Sequence, residues 1–257
     1  MPREASVRSM SDVLYVLRDP PLDGPTNMAR DEALLHAQQS RPAVIRVYAW
    51  SPPTISLGYF QPYSAVAALP ASLRGLAAVR RITGGGAILH DAEVTYCLAL
   101  SHTIPTANRA PTDLYRVVHD CWLTTLRDDG IRVEFAPEDA PLPRPRGGPF
   151  FCFERPGRTD LVSVDGAKML GSAQRRLPTR LLQHGSLILA RRYEDHPSAD
   201  LDGPSSDRVD GWIDSFLARL GAALSLTPTP SAWTDDELRV AATLRERYAG
   251  PEWMRKH

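Results

Sequence analysis

Long apolar runs are missing from this chain. No stretch of eighteen or more consecutive apolar residues occurs, so no membrane span is expected. Net charge is missing too: Lys plus Arg total 30 and Asp plus Glu total 30. That balance speaks against a nucleic-acid binder working through bulk electrostatics, although Arg80-Arg81 and Arg175-Arg176 remain candidates for a local basic site. Cysteine is scarce. Cys97, Cys121 and Cys152 show no CxxC spacing, which indicates neither a disulfide framework nor a zinc site, and no metal is expected. The first residues carry charges but no apolar h-region, so no secretory signal is read there and the cytoplasm is the expected compartment. What is present is ordinary for a soluble globular protein: 257 residues, 43% of them hydrophobic and 23% charged.

Periodicity places strands at 12–17, 43–50, 54–60, 94–100, 131–135, 159–164, 168–174 and 181–189. Helices are expected at 27–38, 64–76, 111–129, 210–224 and 234–248. In the third of these, Leu114, Val117, Val118, Cys121, Trp122 and Leu126 form one apolar face, which makes Cys121 a core residue and leaves His119 to solvent. Cys97 reads as core packing in a buried strand. Residues 136–149 hold five prolines and Gly147-Gly148, so they read as a long surface loop that delivers the chain to Cys152. Strands dominate the middle and helices are inserted singly, which predicts an α+β domain with a mixed or antiparallel sheet and flanking helices. Residues 12–225 are read as one domain and 226–257 as a helical extension packed on it.

Two stretches suggest chemistry. In the first, Cys152 follows the proline loop and Lys168 opens a strand just after the Asp165-Gly166 turn. A thiolate is the nucleophilic form of cysteine, and a neighbouring ammonium favours it. The plainer alternative is a small core cysteine and a surface lysine. In the second stretch, Arg80-Arg81-Ile82-Thr83 leads into Gly84-Gly85-Gly86 and on to Ala87-Ile88-Leu89-His90-Asp91. Three glycines between strands are costly in entropy. They suit a place where another molecule lies against bare backbone, such as a phosphate or an oxyanion. A floppy hairpin turn is the alternative.

These segments resemble motifs of the lipoate-protein ligase A superfamily. The Arg80–Asp91 stretch is similar to its RRxSGGGAVxHD motif. Residues 165–174 with Gln183-His184-Gly185-Ser186 are similar to its GxKxxGSAQ…QHGS motif, and residues 27–35 to its NMALDEALL helix. Within the superfamily, Cys152-Phe153-Glu154-Arg155-Pro156 resembles the CFxxP of the cysteine-dependent octanoyltransferases of the LipM type, whereas Gly157-Arg158-Thr159-Asp160 looks more like the ligase GRND. The interval from Cys152 to Lys168 is one residue longer than in that group. The resemblance implies the biotin/lipoate ligase catalytic fold, related to class II aminoacyl-tRNA synthetases. It implies octanoyl (or lipoyl) transfer through a Cys152 thioester, with Lys168 as its catalytic partner. The implied substrate-binding residues are Arg81, Gly84, Gly85, Gly86, Ala87, Ile88, Leu89, His90, Gly171, Ser172, Ala173 and His184. The implied partners are acyl carrier protein as donor, and lipoyl domains of 2-oxoacid dehydrogenases or the glycine cleavage H protein as acceptors, with no nucleic acid and no membrane. No metal and no ATP are implied for the transferase. An ATP- and Mg-dependent lipoate ligase, or a non-catalytic lipoyl-domain-binding protein of the same fold, are the alternatives.

Overall fold

The computed structural model describes residues 12–36, 41–141 and 149–257. The elements in chain order are β1 (Val13–Arg18), α1 (Gly24–His36), β2 (Ala43–Tyr48), β3 (Thr54–Leu57), β4 (Ala77–Arg80), β5 (Ile88–His90) and β6 (Glu93–Ser101). They continue with α2 (Pro111–Asp128), β7 (Val133–Phe135), β8 (Leu161–Ser163), β9 (Lys168–Arg176), β10 (Arg180–Ile188), α3 (Ser206–Leu224), β11 (Thr227–Pro230), α4 (Asp235–Ala249) and α5 (Pro251–Met254). Eight strands form one sheet in the order β11-β1-β2-β6-β10-β9-β8-β7, and β4-β3-β5 form a second, small sheet. Antiparallel pairs make up the centre of the large sheet, while β1 runs parallel to both β2 and β11. The expected α+β class with a mixed sheet is what the chain adopts.

Helices cover both faces of the large sheet, which explains why its strands read as nearly unbroken apolar runs. Alternation sorts the side chains. Ile45, Tyr96 and Leu98 face α2 and α3, where Trp122 stacks on Phe216 with centroids 4.1 Å apart. Val44, Cys97 and Ala99 face the opposite way, towards Met28 and Leu34 of α1 and Tyr248 of α4. Both Cys97 and Cys121 are therefore core residues, as the pattern predicts.

Several boundaries differ from the sequence expectation. The segment 64–76 forms only a short 3-10 turn at Tyr63–Ala68, because Pro70 cannot continue a helix. The expected strand over 54–60 ends at Leu57. The helix expected from 210 begins at Ser206. β11 carries Pro228 and Pro230 and was not anticipated; it lies at the sheet edge, where a strand tolerates proline. The end of the first predicted helix (37–38) and residues 142–148 of the proline loop lie outside the described residues.

A buried arginine joins α1 to the sheet. Arg46 on β2 is wholly buried. Its Nε donates to Asp19 at 2.6 Å and its Nη1 to Asp31 at 2.7 Å, and its Nη2 donates to the Asn27 side chain at 2.6 Å. Replacing Arg46 by Met would leave Asp19 and Asp31 buried with their main counter-charge gone. We expect a loss of about 3–5 kcal/mol, read as a shift in urea midpoint; a loss under about 1 kcal/mol would contradict this account.

Candidate active site

The glycine triplet connects β4 to β5, the two strands that flank β3. It is not a floppy turn. Arg81 is buried beneath it, and its Nη2 donates to the carbonyls of Gly84 and Gly86, both at 2.7 Å. Its Nη1 donates to the Ser56 carbonyl at 2.9 Å and its Nε to the Thr83 hydroxyl at 3.1 Å. Burial lowers the Arg81 pKa to about 10, so the group stays a cation at neutral pH. Arg80 turns away from the glycines and instead binds the carbonyls of Gly58, Tyr59, Gln61 and Met254. The expectation that both arginines flank an open anion site is corrected accordingly, because backbone carbonyls already occupy their donors.

Two buried relays stand behind Arg81. His184 donates from Nδ1 to Asp31 (2.9 Å) and accepts at Nε2 from Thr83 (2.7 Å). His90 donates from Nδ1 to Glu93 (2.7 Å) and accepts at Nε2 from Ser56 (2.7 Å). A carboxylate only accepts, which fixes each tautomer. His90 also stacks on Trp50 at 3.8 Å. Neither histidine lines the main cavity, and neither do Ala87 and Leu89.

The triplet in turn holds the cysteine segment. Ala87 N–H donates to Phe150 at 2.7 Å, and Cys152 N–H donates to Ala87 at 2.8 Å, a parallel bridge between the two loops. Close approach requires glycine: a Cβ on Gly86 would lie 2.8 Å from the Cys152 nitrogen. Cys152 is half-buried, and the Lys168 ammonium lies 3.4 Å from its sulfur. The same ammonium lies 2.6 Å from Asp160. Burial opposes the Lys168 charge, but Asp160 and then Cys152 raise its pKa to about 12, so the charge persists at neutral pH. Gly171 leaves room for it, since a Cβ there would sit 2.5 Å from Nζ. The chain thus brings together the cysteine and lysine that the sequence singled out. Asp160 was read only as part of a ligase-like GRTD at the start of an expected strand, and that position gave no sign that its carboxylate would meet Lys168.

A cavity of about 730 Å³ opens over this group, within the range of small-molecule sites. Cys152, Lys168, Arg81, Gly84, Gly85, Gly86, Ile88, Gly171, Ser172 and Ala173 line it, together with Tyr115, Asp160 and apolar residues including Phe60 and Ile82.

His119 overturns its expected solvation. It is fully buried. Its Nδ1 donates to the Thr159 carbonyl at 2.5 Å, and its Nε2 accepts from the Ser172 hydroxyl at 2.6 Å. Ser172 accepts from Tyr96, which accepts from Gln183 at 3.0 Å. The helix carries His119 into its buried side because the Ser172 hydroxyl of β9 meets it there; the apolar stripe alone could not reveal this.

The fold described above is that of a lipoyl protein ligase catalytic domain. The model of the lipoyl protein ligase A/B catalytic domain matches residues 23–219, and the chain belongs to that family. It is 35% identical to an octanoyltransferase LipM of Kyrpidia tusciae, over 88% of this chain and 93% of that protein. It is 39% identical to an octanoyltransferase LipM of Halalkalibacterium halodurans, with the same coverage. The fold matches a lipoate-protein ligase A bound with ATP at 17% identity and a TM-score of 0.75, over 95% of this chain and 98% of that one. It also matches a bipartite lipoate protein ligase of Thermoplasma acidophilum, solved with its E2 lipoyl domain, at 18% identity and a TM-score of 0.69, covering 95% and 96%. No helix among the described residues is long and apolar enough to cross a membrane.

Two outcomes follow from these contacts. Gly86→Ala should push the Cys152 segment away from Arg81 and Lys168 and slow iodoacetamide alkylation at pH 7 by about tenfold. The assay reports Cys152 alone, because burial raises the thiol pKa of Cys121 to about 12 and pushes that of Cys97 well above its ordinary value. Unchanged alkylation would refute the positioning role. Burial lowers the His119 pKa to about 4, below the ordinary value of about 6.5, so the unfolded chain binds the extra proton between those values. Stability should fall as pH drops through that window, by up to about 1.4 kcal/mol per pH unit for one histidine. Urea titrations of His119→Asn should show a shallower slope there, and an identical slope would count against the buried neutral imidazole.

Proposed function

We propose that this protein is an acyltransferase that moves an octanoyl group onto a lysine of a lipoyl domain through a thioester on Cys152. The observation that carries the reading is the Cys152 sulfur 3.4 Å from a buried, Asp160-paired Lys168 ammonium at the wall of an apolar cavity. The similarity to octanoyltransferases LipM supports the reaction class. The donor is octanoyl-acyl carrier protein. Residues 12–225 act as the catalytic unit, with 226–257 as an extension packed on it, and the reaction takes place in the cytoplasm.

In the first half-reaction the Cys152 thiolate attacks the donor thioester carbonyl. A new C–S bond forms, the donor C–S bond breaks, and the donor leaves as a thiol after taking up a proton. The Lys168 ammonium faces the sulfur at 3.4 Å. Lys168 then faces the acyl carbonyl oxygen, where charge develops in the tetrahedral intermediate. In the second half-reaction the neutral amine of the acceptor lysine attacks the Cys152 thioester. An amide forms, the thiolate returns, and the amine releases a proton. Burying about seven carbons of the chain at about 0.8 kcal/mol each contributes roughly 5–6 kcal/mol to binding. Gly84 to Gly86 and Gly171 to Ala173 shape the slot, with Ile88 on its wall. Ala87 and Leu89 hold the loop from behind, and His90 and His184 brace Arg81.

The test is the intact mass after mixing with octanoyl-acyl carrier protein in the absence of ATP. A hydroxylamine-labile octanoyl adduct that is missing in Cys152→Ser is expected. Absence of that adduct, with lipoyl-AMP formed once ATP and lipoate are supplied, would replace the transferase with a ligase.

A further inference from the structure

The cavity wall is far from neutral although the chain is. Its charged lining consists of Arg81, Arg155, Lys168, Arg175 and Arg176 against one acid, Asp160. Arg81 and Lys168 lie deep and are engaged, and Asp160 is held by Lys168. Arg155 and Arg175 are exposed, and Arg176 is half-buried. Among the described residues none of these three makes an ion pair, although Arg175 lies over the Tyr59 ring at 6.0 Å. Arg176 donates to Gln174 and to the Ala107 carbonyl, both at 3.0 Å, and its Nη2 has no partner. Three guanidinium groups on one cavity wall with no acid paired to them leave positive charge that an anion bound there would offset.

We propose that Arg155, Arg175 and Arg176 form a phosphate site at the cavity rim that binds the phosphopantetheine arm of the acyl donor. This rests on the transferase reading above. The strand supplies a ruler. β9 starts at Lys168, beside Cys152, and reaches Arg175 after seven steps, about 23 Å at about 3.3 Å per residue. A pantetheine arm has thirteen bonds between sulfur and phosphorus, about 16 Å when extended at backbone-like dimensions. One arginine side chain closes the difference. With the thioester at Cys152, the acyl chain fills the apolar end of the cavity and the arm runs along β9, so that its phosphate reaches the guanidinium groups. Arginine suits this task because its planar fork meets two phosphate oxygens at once. A cavity of about 730 Å³ has the size of a drug-sized ligand site and offers more room than eight carbons need.

The test compares four octanoyl donors: the pantetheine thioester, the 4′-phosphopantetheine thioester, the coenzyme A thioester and the acyl carrier protein. Intact mass gives kcat/KM for Cys152 acylation in the wild type, in Arg175→Gln, and in Arg155→Gln combined with Arg175→Gln. The wild type should prefer phosphopantetheine over pantetheine by about tenfold, and the variants should lose most of that ratio. Taking the ratio cancels any general damage to the fold. A wild type with no preference, or a double variant that keeps the wild-type preference, overturns the site. Equal gains with phosphopantetheine, coenzyme A and carrier protein mean that the phosphate itself is read, and a further gain with the carrier alone identifies the carrier as its source. If no donor acylates Cys152, the transferase reading falls and takes this site with it; acylation without a phosphate preference sinks this site alone.

Discussion

The Arg81 guanidinium is the contact on which the rest of the site depends. It is a cation with almost no solvent, and it is stable there because every bond it makes is to an oxygen already fixed by the fold. Carbonyls of Gly84 and Gly86 close around it, so the triplet becomes a rigid ledge. That ledge carries Ala87, which sets the Cys152 backbone, which puts the sulfur beside Lys168. Burying a charge is costly unless its donors are matched. The two carboxylate–histidine–hydroxyl relays supply the match, one from α1 through His184 and one from β6 through His90.

The site separates two kinds of charge. Lys168 and Asp160 are both nearly dry and close to each other, so they form a dipole that water cannot screen. Cys152 sits at its positive end and remains partly accessible. Asp160, 2.6 Å from the ammonium, keeps it charged. His119 holds the neighbouring Thr159 carbonyl and thereby the start of the segment that presents Asp160.

A shared fold does not decide between ligase and transferase chemistry. The solved structures that resemble this chain are ligases at 17–18% identity, and they establish the architecture only. The local feature that bears on the choice is a cysteine held by the glycine ledge within reach of the lysine that opens β9. In the proposed reading, an acyl group already carried as a thioester needs a nucleophile and an oxyanion partner, and Cys152 and Lys168 are the side chains proposed for those roles.

Much was legible from residues alone. Period-two and period-3.6 patterns identified the central strands, α2 and α4, and the glycine triplet, Cys152 and Lys168 stood out because each is unusual in its local setting. The burial of His119 and the pairing of Asp160 with Lys168 were not legible, since both depend on contacts between segments far apart in sequence or across a loop. His90 and His184 carry a motif, yet only the folded chain decides that they stand behind Arg81 and away from the cavity. The proline-bearing β11 escaped pattern reading because its strand character comes from its neighbour β1 and not from its own composition. The sequence by itself determined which residues were available for chemistry and which faces would be buried, because composition and period act locally. Only the tertiary structure decided which charges meet, because hydrogen-bond partners are selected by three-dimensional packing and burial makes each pairing strong.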